Sequence, residues 1–125
     1  MTAIVRETEG CGAEIANIAV PQATDAEINL IRDTVYNRGV AFLHDQQMSP
    51  EEQIAFAERI GPIVLNRYFP KTERYPQIAK VEKTPEQKTN IGGGWHTDHS
   101  YDQAPAMGSV LLAIETPPSG GDTLF

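Results

Sequence analysis

Residues Gly92 to Gln103 read GGGWHTDHSYDQ, and this stretch holds two of the chain's three histidines and its only tryptophan, directly behind three consecutive glycines. In an extended segment side chains alternate between faces, so His96 and Asp98 point one way while Thr97 and His99 point the other. An imidazole and a carboxylate side by side are two members of a 2-His-1-carboxylate facial set, which holds iron(II) and leaves positions open for substrates. His99 falls outside such a set because it faces away. His44, next to Asp45 in a polar turn, reads as a surface residue rather than a ligand. No third ligand is visible in the chain. The bare H-x-D spacing is weak evidence, because Asp98 accepting a hydrogen bond from His96 or capping a turn explains the same two residues.

The rest of the composition narrows the classes. With 40% hydrophobic and 22% charged residues, the 125-residue chain has the make-up of a folded globular protein rather than a disordered one. The formal net charge is −7 and no basic cluster interrupts it, which argues against nucleic acid and anionic membrane as partners. The N-terminal MTAIVRETEG lacks the basic-then-apolar order of an export signal. Cys11 is the single cysteine, so no internal disulfide forms and nothing beside it activates the thiol. A cytoplasmic protein is the expectation.

Reading outward along the chain, a short strand is expected near Glu14 to Ile18. Thr24 caps a helix, Glu27 closes a capping box, Ile28, Ile31 and Val35 form its apolar stripe, and Gly39 ends it. Val40 to Leu43 read as a buried strand. A second helix starts at SPEE, with Ser49 as cap, Pro50 in the first position and Glu52 returning the capping bond. Ile54, Ala57 and Ile60 share its inner face, and Gly61-Pro62 stops it. Gln77 to Glu82 alternate like a strand, Lys83 to Gly94 form a polar loop, WHTDHSY is extended and Met107 to Glu115 read as a long strand. The expected class is α+β, with two helices ahead of an all-β second half. Asp122 to Phe125 break off as a strand begins, so residues 1–125 are expected to be one incomplete domain.

WHTD at Trp95 to Asp98, followed by PPSGGDTLF at Pro117 to Phe125, resembles the taurine dioxygenase family of iron(II)- and 2-oxoglutarate-dependent oxygenases. Three further stretches agree in order: GAEI at Gly12 to Ile15, GVAFLHDQQMSPEEQIAFAERIGP at Gly39 to Pro62, and PAMGSVLLAIETPP at Pro105 to Pro118. The resemblance covers essentially the whole chain. It implies the N-terminal portion of a double-stranded β-helix, a cupin-like jelly roll, with two flanking helices.

The resemblance also implies chemistry. His96 and Asp98 become ligands of iron(II) (Fe2+), and the Thr123 hydroxyl becomes a hydrogen-bond partner for a carboxylate of 2-oxoglutarate. With dioxygen (O2), such enzymes hydroxylate an unactivated C–H bond of a small organic substrate and release succinate and CO2; a carboxylate at position 98 goes with hydroxylation rather than halogenation. The family takes its second histidine ligand and a 2-oxoglutarate-binding arginine from later strands, so residues 1–125 alone are expected to be inactive. Asn66 and Phe69 stand where taurine dioxygenase has a histidine and a tyrosine on its substrate, and Gly92 stands at a substrate-contacting asparagine for which Asn90 is the nearest replacement. His99 replaces a smaller apolar residue. These departures point to a different small acid or a larger substrate.

A small organic molecule is thus the expected partner, and self-association into a homo-oligomer is left open. Two other readings remain in view, a non-catalytic relative and a zinc hydrolase built on His96 and Asp98, the latter lacking a general base and further ligands.

Overall fold

The computed structural model describes residues 2–125, which fall into two compact units, one made of residues 2–60 with Val110–Phe125 and the other of Gly61–Ser109. Regular structure among the described residues is confined to the first unit. It contains β1 (Ile4–Glu7), β2 (Ala13–Ala16), a 3-10 turn at Val20–Gln22, α1 (Asp25–Arg38), β3 (Ala41–Phe42) and α2 (Pro50–Ile60).

The sheet has the order β1-β2-β3. β1 and β2 pair antiparallel, with Ile4 opposite Ala16 and Glu7 opposite Ala13, whereas β2 and β3 pair parallel through Ala13 opposite Ala41. Parallel neighbours need a crossover, and α1 supplies it. β2 is the strand that reaches the core, burying Ala13 and Ile15 while Glu14 and Ala16 stay half-exposed. Between β1 and β2 the chain turns at Gly12, whose φ is 91°; a Cβ there would stand 3.0 Å from the Phe42 ring and 3.1 Å from Thr8 Oγ1. Only glycine fits that position.

Both helices begin as the capping pattern dictates. The Glu27 amide donates to Thr24 Oγ1 at 3.3 Å and the Thr24 amide donates to Glu27 Oε2 at 2.8 Å. In α2 the Ser49 amide donates to Glu52 Oε2 at 2.8 Å, and the Glu52 amide donates back to Ser49 Oγ at 3.1 Å. Each box satisfies two backbone donors that the first helical turn leaves without partners. α1 ends at Gly39, φ 80°, whose amide donates to Val35 O at 2.8 Å.

The core consists of Ile15, Ile18, Val20, Ala23, Ile28, Ile31 and Phe56. Two positions differ from the expected stripes. Thr34, not Val35, is the third buried residue of α1, because its hydroxyl donates to Leu30 O at 2.7 Å and so enters the interior satisfied. Phe56 is the buried residue of α2, whereas Ile54 and Ala57 are half-exposed and Ile60 only flanks the core. Arginines tie the elements together. Arg59 donates from α2 to Ala23 O and to Asp25 Oδ1, both at 2.7 Å, and Arg38 donates from the end of α1 to Thr8 O at 2.8 Å and Gly10 O at 3.0 Å.

The β expectations fare differently. β1 was not foreseen, and the buried strand expected at Val40 to Leu43 shrinks to Ala41–Phe42, with Phe42 42% exposed. Gln77 to Glu82 form no strand, only a single bridge between Lys71 and Ala79, and Met107 to Glu115 are irregular. Among the described residues no strand follows β3, so the all-β second half is absent and the architecture is a small mixed sheet with two helices. A ladder requires a neighbour to take its backbone bonds, and sequence alternation specifies a face but not that neighbour. Leu111 and Ile114 accordingly stand 87% and 88% exposed. No helix of the described residues is long and apolar enough to cross a membrane.

Candidate metal centre

The stretch GGGWHTDHSYDQ lies in the second unit and is not the extended segment that alternation suggested. It bends at Asp98 and turns at His99, whose φ of 49° lies in the left-handed region. The Asp102 amide closes this turn on His99 O at 3.1 Å, while the Thr97 and Ser100 hydroxyls meet at 2.6 Å. Trp95 is 81% exposed.

His96 and Asp98 nevertheless come together. The His96 Nδ1 lies 2.7 Å from Gly94 O, and a carbonyl only accepts, so Nδ1 is the nitrogen that carries a hydrogen. Nε2 on the far side of the ring lies 3.2 Å from Asp98 Oδ1. With Nδ1 committed to the backbone, Nε2 and the carboxylate direct lone pairs into one space, which a proton or a metal cation satisfies. Two donors each about 2.1 Å from a shared ion and at right angles stand about 3 Å apart, so the pair matches adjacent positions on a transition metal. Among the described residues no group of three or more His, Cys, Asp or Glu side chains converges on a metal position. Among the described residues the pair has no third such side chain beside it.

The triglycine run packs against this histidine. Gly92 has φ 68°, and a Cβ at that position would stand 3.1 Å from His96 Cε1 and 3.7 Å from Nε2.

His99 faces a different neighbourhood. Its Nδ1 is buried without a hydrogen bond, and although Asp102 Oδ2 is 3.5 Å away, that separation marks an ion-pair distance rather than a formed bond. Asp102 is itself held by Arg67, Nη2 to Oδ1 at 2.5 Å. The Tyr101 ring lies 5.9 Å from the His99 ring and 6.4 Å, edge-on, from Tyr68. Hydrogen bonding with Tyr68 is the main influence that raises the Tyr101 phenol above its ordinary pKa. Arg67, Tyr68, Tyr101 and Asp102 were not singled out by sequence, and the 35-residue separation of Arg67 and Asp102 leaves no local signal of their pairing.

The remaining expected site residues are placed as follows. Asn66 accepts the Tyr68 and Phe69 amides on Oδ1 at 2.8 and 3.0 Å, so its side-chain oxygen shapes its own loop. Phe69 is half-buried, and Asn90 is exposed and accepts a hydrogen bond from Lys83 Nζ. Thr123 is exposed in the first unit, after two glycines with left-handed φ of 78° and 77°. His44 sits 70% exposed, 3.6 Å from Glu14 Oε1.

Comparison with known proteins sets this geometry in context. The chain is 29% identical over 115 residues to an alpha-ketoglutarate-dependent 2,4-dichlorophenoxyacetate dioxygenase of Cupriavidus pinatubonensis, covering 79% of this chain and 40% of that protein. It is 30% identical to an alkylsulfatase of Acinetobacter baylyi over 91% of this chain and 36% of the relative. In structure it resembles a candidate alpha-ketoglutarate-dependent taurine dioxygenase from Burkholderia xenovorans, with a TM-score of 0.59 at 24% identity, over 69% of this chain and 32% of the other. The chain thus spans well under half the length of these relatives. The sequence model of the taurine catabolism dioxygenase TauD, TfdA family matches residues 4–125, and the chain belongs to that family.

Proposed function

We propose that the chain is the N-terminal part of an iron(II)- and 2-oxoglutarate-dependent dioxygenase, built on a partial jelly roll, that hydroxylates a small organic substrate. The observation that carries this reading is the meeting of His96 Nε2 and Asp98 Oδ1 at 3.2 Å, with Nδ1 tied to a backbone carbonyl. Alpha-ketoglutarate dependence in the names of its relatives supports the cosubstrate. Iron(II) with 2-oxoglutarate and dioxygen supplies the oxidising power that breaks a C–H bond, leaving succinate and CO2.

The chain's own residues then have defined tasks. His96 and Asp98 would hold the metal, and the Gly94 carbonyl fixes which imidazole nitrogen would be offered to it. The Thr123 hydroxyl would donate to a carboxylate of 2-oxoglutarate. Phe69, Asn90 and His99 border the substrate side, with Asn66 acting through the shape of its loop. A second histidine ligand and an arginine for the far carboxylate come from outside these residues. The net charge of −7 sits with a small-molecule substrate rather than nucleic acid.

A second reading, a non-catalytic relative, draws on the 55% and 70% exposure of the His96 and Asp98 side chains and the missing third ligand. One measurement separates them. The full-length protein given iron(II) and 2-oxoglutarate without oxygen is expected to show a visible metal-to-ligand charge-transfer band that His96→Ala removes. An absent band, or one that survives the substitution, rejects the dioxygenase assignment of this pair. Succinate release screened over small sulfonates, carboxylates and amino-acid derivatives then identifies the substrate.

A further inference from the structure

The segment that carries His96 and Asp98 is tied down immediately after the carboxylate. His99 adopts φ 49°, a left-handed conformation uncommon outside glycine and kept only where the surroundings hold it. Asp102 holds it from two directions. Its amide donates to His99 O at 3.1 Å, and its carboxylate stands between His99 Nδ1, 3.5 Å from Oδ2, and Arg67 Nη2, 2.5 Å from Oδ1. Arg67 in turn belongs to the loop that Asn66 shapes by accepting the Tyr68 and Phe69 amides. The Tyr68 ring next to it meets the Tyr101 ring edge-on at 6.4 Å. The loop at 66–69 thus docks on the turn at 98–102 through two adjacent pairs, Arg67 with Asp102 and Tyr68 with Tyr101.

We infer that Arg67 and Asp102 are positioning residues for the metal centre: their ion pair, joining residues 35 apart in sequence, holds the left-handed turn that sets where the Asp98 carboxylate stands relative to His96 Nε2. The inference rests on reading His96 and Asp98 as metal ligands. Neither positioning residue is bonded to either ligand, so both act through the backbone of the turn. A turn free to relax at His99 would swing its neighbour Asp98 away from the 3.2 Å approach to His96. The two donors would then no longer be offered to one ion together.

The opposite charges of the pair supply the test. As bare charges, Arg67 repels a bound cation and Asp102 attracts it, so field effects alone predict that Arg67→Ala strengthens cobalt(II) binding while Asp102→Ala weakens it. Positioning predicts that both weaken it. The full-length protein is titrated with cobalt(II) as wild type, Arg67→Ala, Asp102→Ala and the double variant, with His96→Ala to assign the signal and far-UV circular dichroism to confirm folding. Each single variant is expected to bind about two- to fivefold more weakly, the scale of one partly exposed ion pair, and the double variant no more weakly than the worse single. Arg67→Lys, which keeps the charge and a donor, is expected to bind more tightly than Arg67→Ala, where a field effect would order the two the other way. Lys80→Ala breaks a comparably exposed pair with Glu82 in the same unit and is expected not to weaken binding. Cobalt(II) binding by Arg67→Ala as tight as in the wild type or tighter, or an equal weakening in Lys80→Ala, overturns the inference alone. Binding in the wild type no tighter than in His96→Ala removes the ligand reading and the inference with it.

Discussion

Residues 20–60 and residues 91–125 carry equally plain patterns in sequence, yet only the first set becomes regular structure. The helices in residues 20–60 are closed by neighbours three or four positions away. Thr24 needs only Glu27, and Ser49 needs only Glu52. The apolar run within Met107 to Glu115 needs another strand to take its backbone bonds, and its pattern names none. The difference is one of reach: local signals resolve themselves, whereas sheet signals wait on a distant partner.

The contrast is tested most severely by paired truncations. Ile31→Ala, in the core at 3% exposure, is expected to destabilise the chain by about 2–5 kcal/mol in urea unfolding, while Leu111→Ala, at 87% exposure, changes stability by less than about 0.5 kcal/mol. Equal losses at the two positions would show that residues 110–125 are packed as tightly as α1. Next in size is the cap. Thr24→Ala is expected to cost about 1 kcal/mol, since it leaves an N-terminal amide of α1 without its acceptor. Removing the Arg67–Asp102 ion pair, in which the Arg67 side chain is 62% exposed, comes next at about 0.2–1 kcal/mol, and salt should erase it.

The smallest effect is a pH dependence within the same capping box. The backbone hydrogen bond from Thr24, followed by the Thr24 side chain, lowers the Glu27 pKa below 4.5. A carboxylate with a depressed folded pKa contributes stability above its unfolded pKa and loses it as pH falls through the folded value. Stability should therefore decline below about pH 4.5, and Glu27→Gln, which keeps a capping oxygen but cannot ionise, should flatten that part of the curve. An unaltered slope in the variant would assign the decline to other carboxylates.

The same distinction explains how much of the site was legible. Both helices, their caps and the stop at Gly39 follow from spacing alone. Thr34 in place of Val35 does not, because its burial depends on a hydroxyl bonded within the helix. The nearness of His96 and Asp98 was anticipated from strand alternation, yet the segment is no strand; a bend at Asp98 and the carbonyl of Gly94 accompany the approach. His99 shows the cost of that simplification. Its left-handed backbone is invisible to a period-two argument, and its neighbour Asp102 is held by Arg67 from another stretch of chain.

Arg38 has a consequence for how the first unit opens. Its guanidinium donates to the carbonyls of Thr8, Gly10 and Gly12, and its own carbonyl accepts the Gly12 amide at 2.7 Å. Neither the last turn of α1 nor the β1-β2 turn can loosen without breaking the bonds of the other. The Gly12 amide and the amides closing the end of α1 should exchange with solvent deuterium at matched protection, as members of one cooperative opening unit.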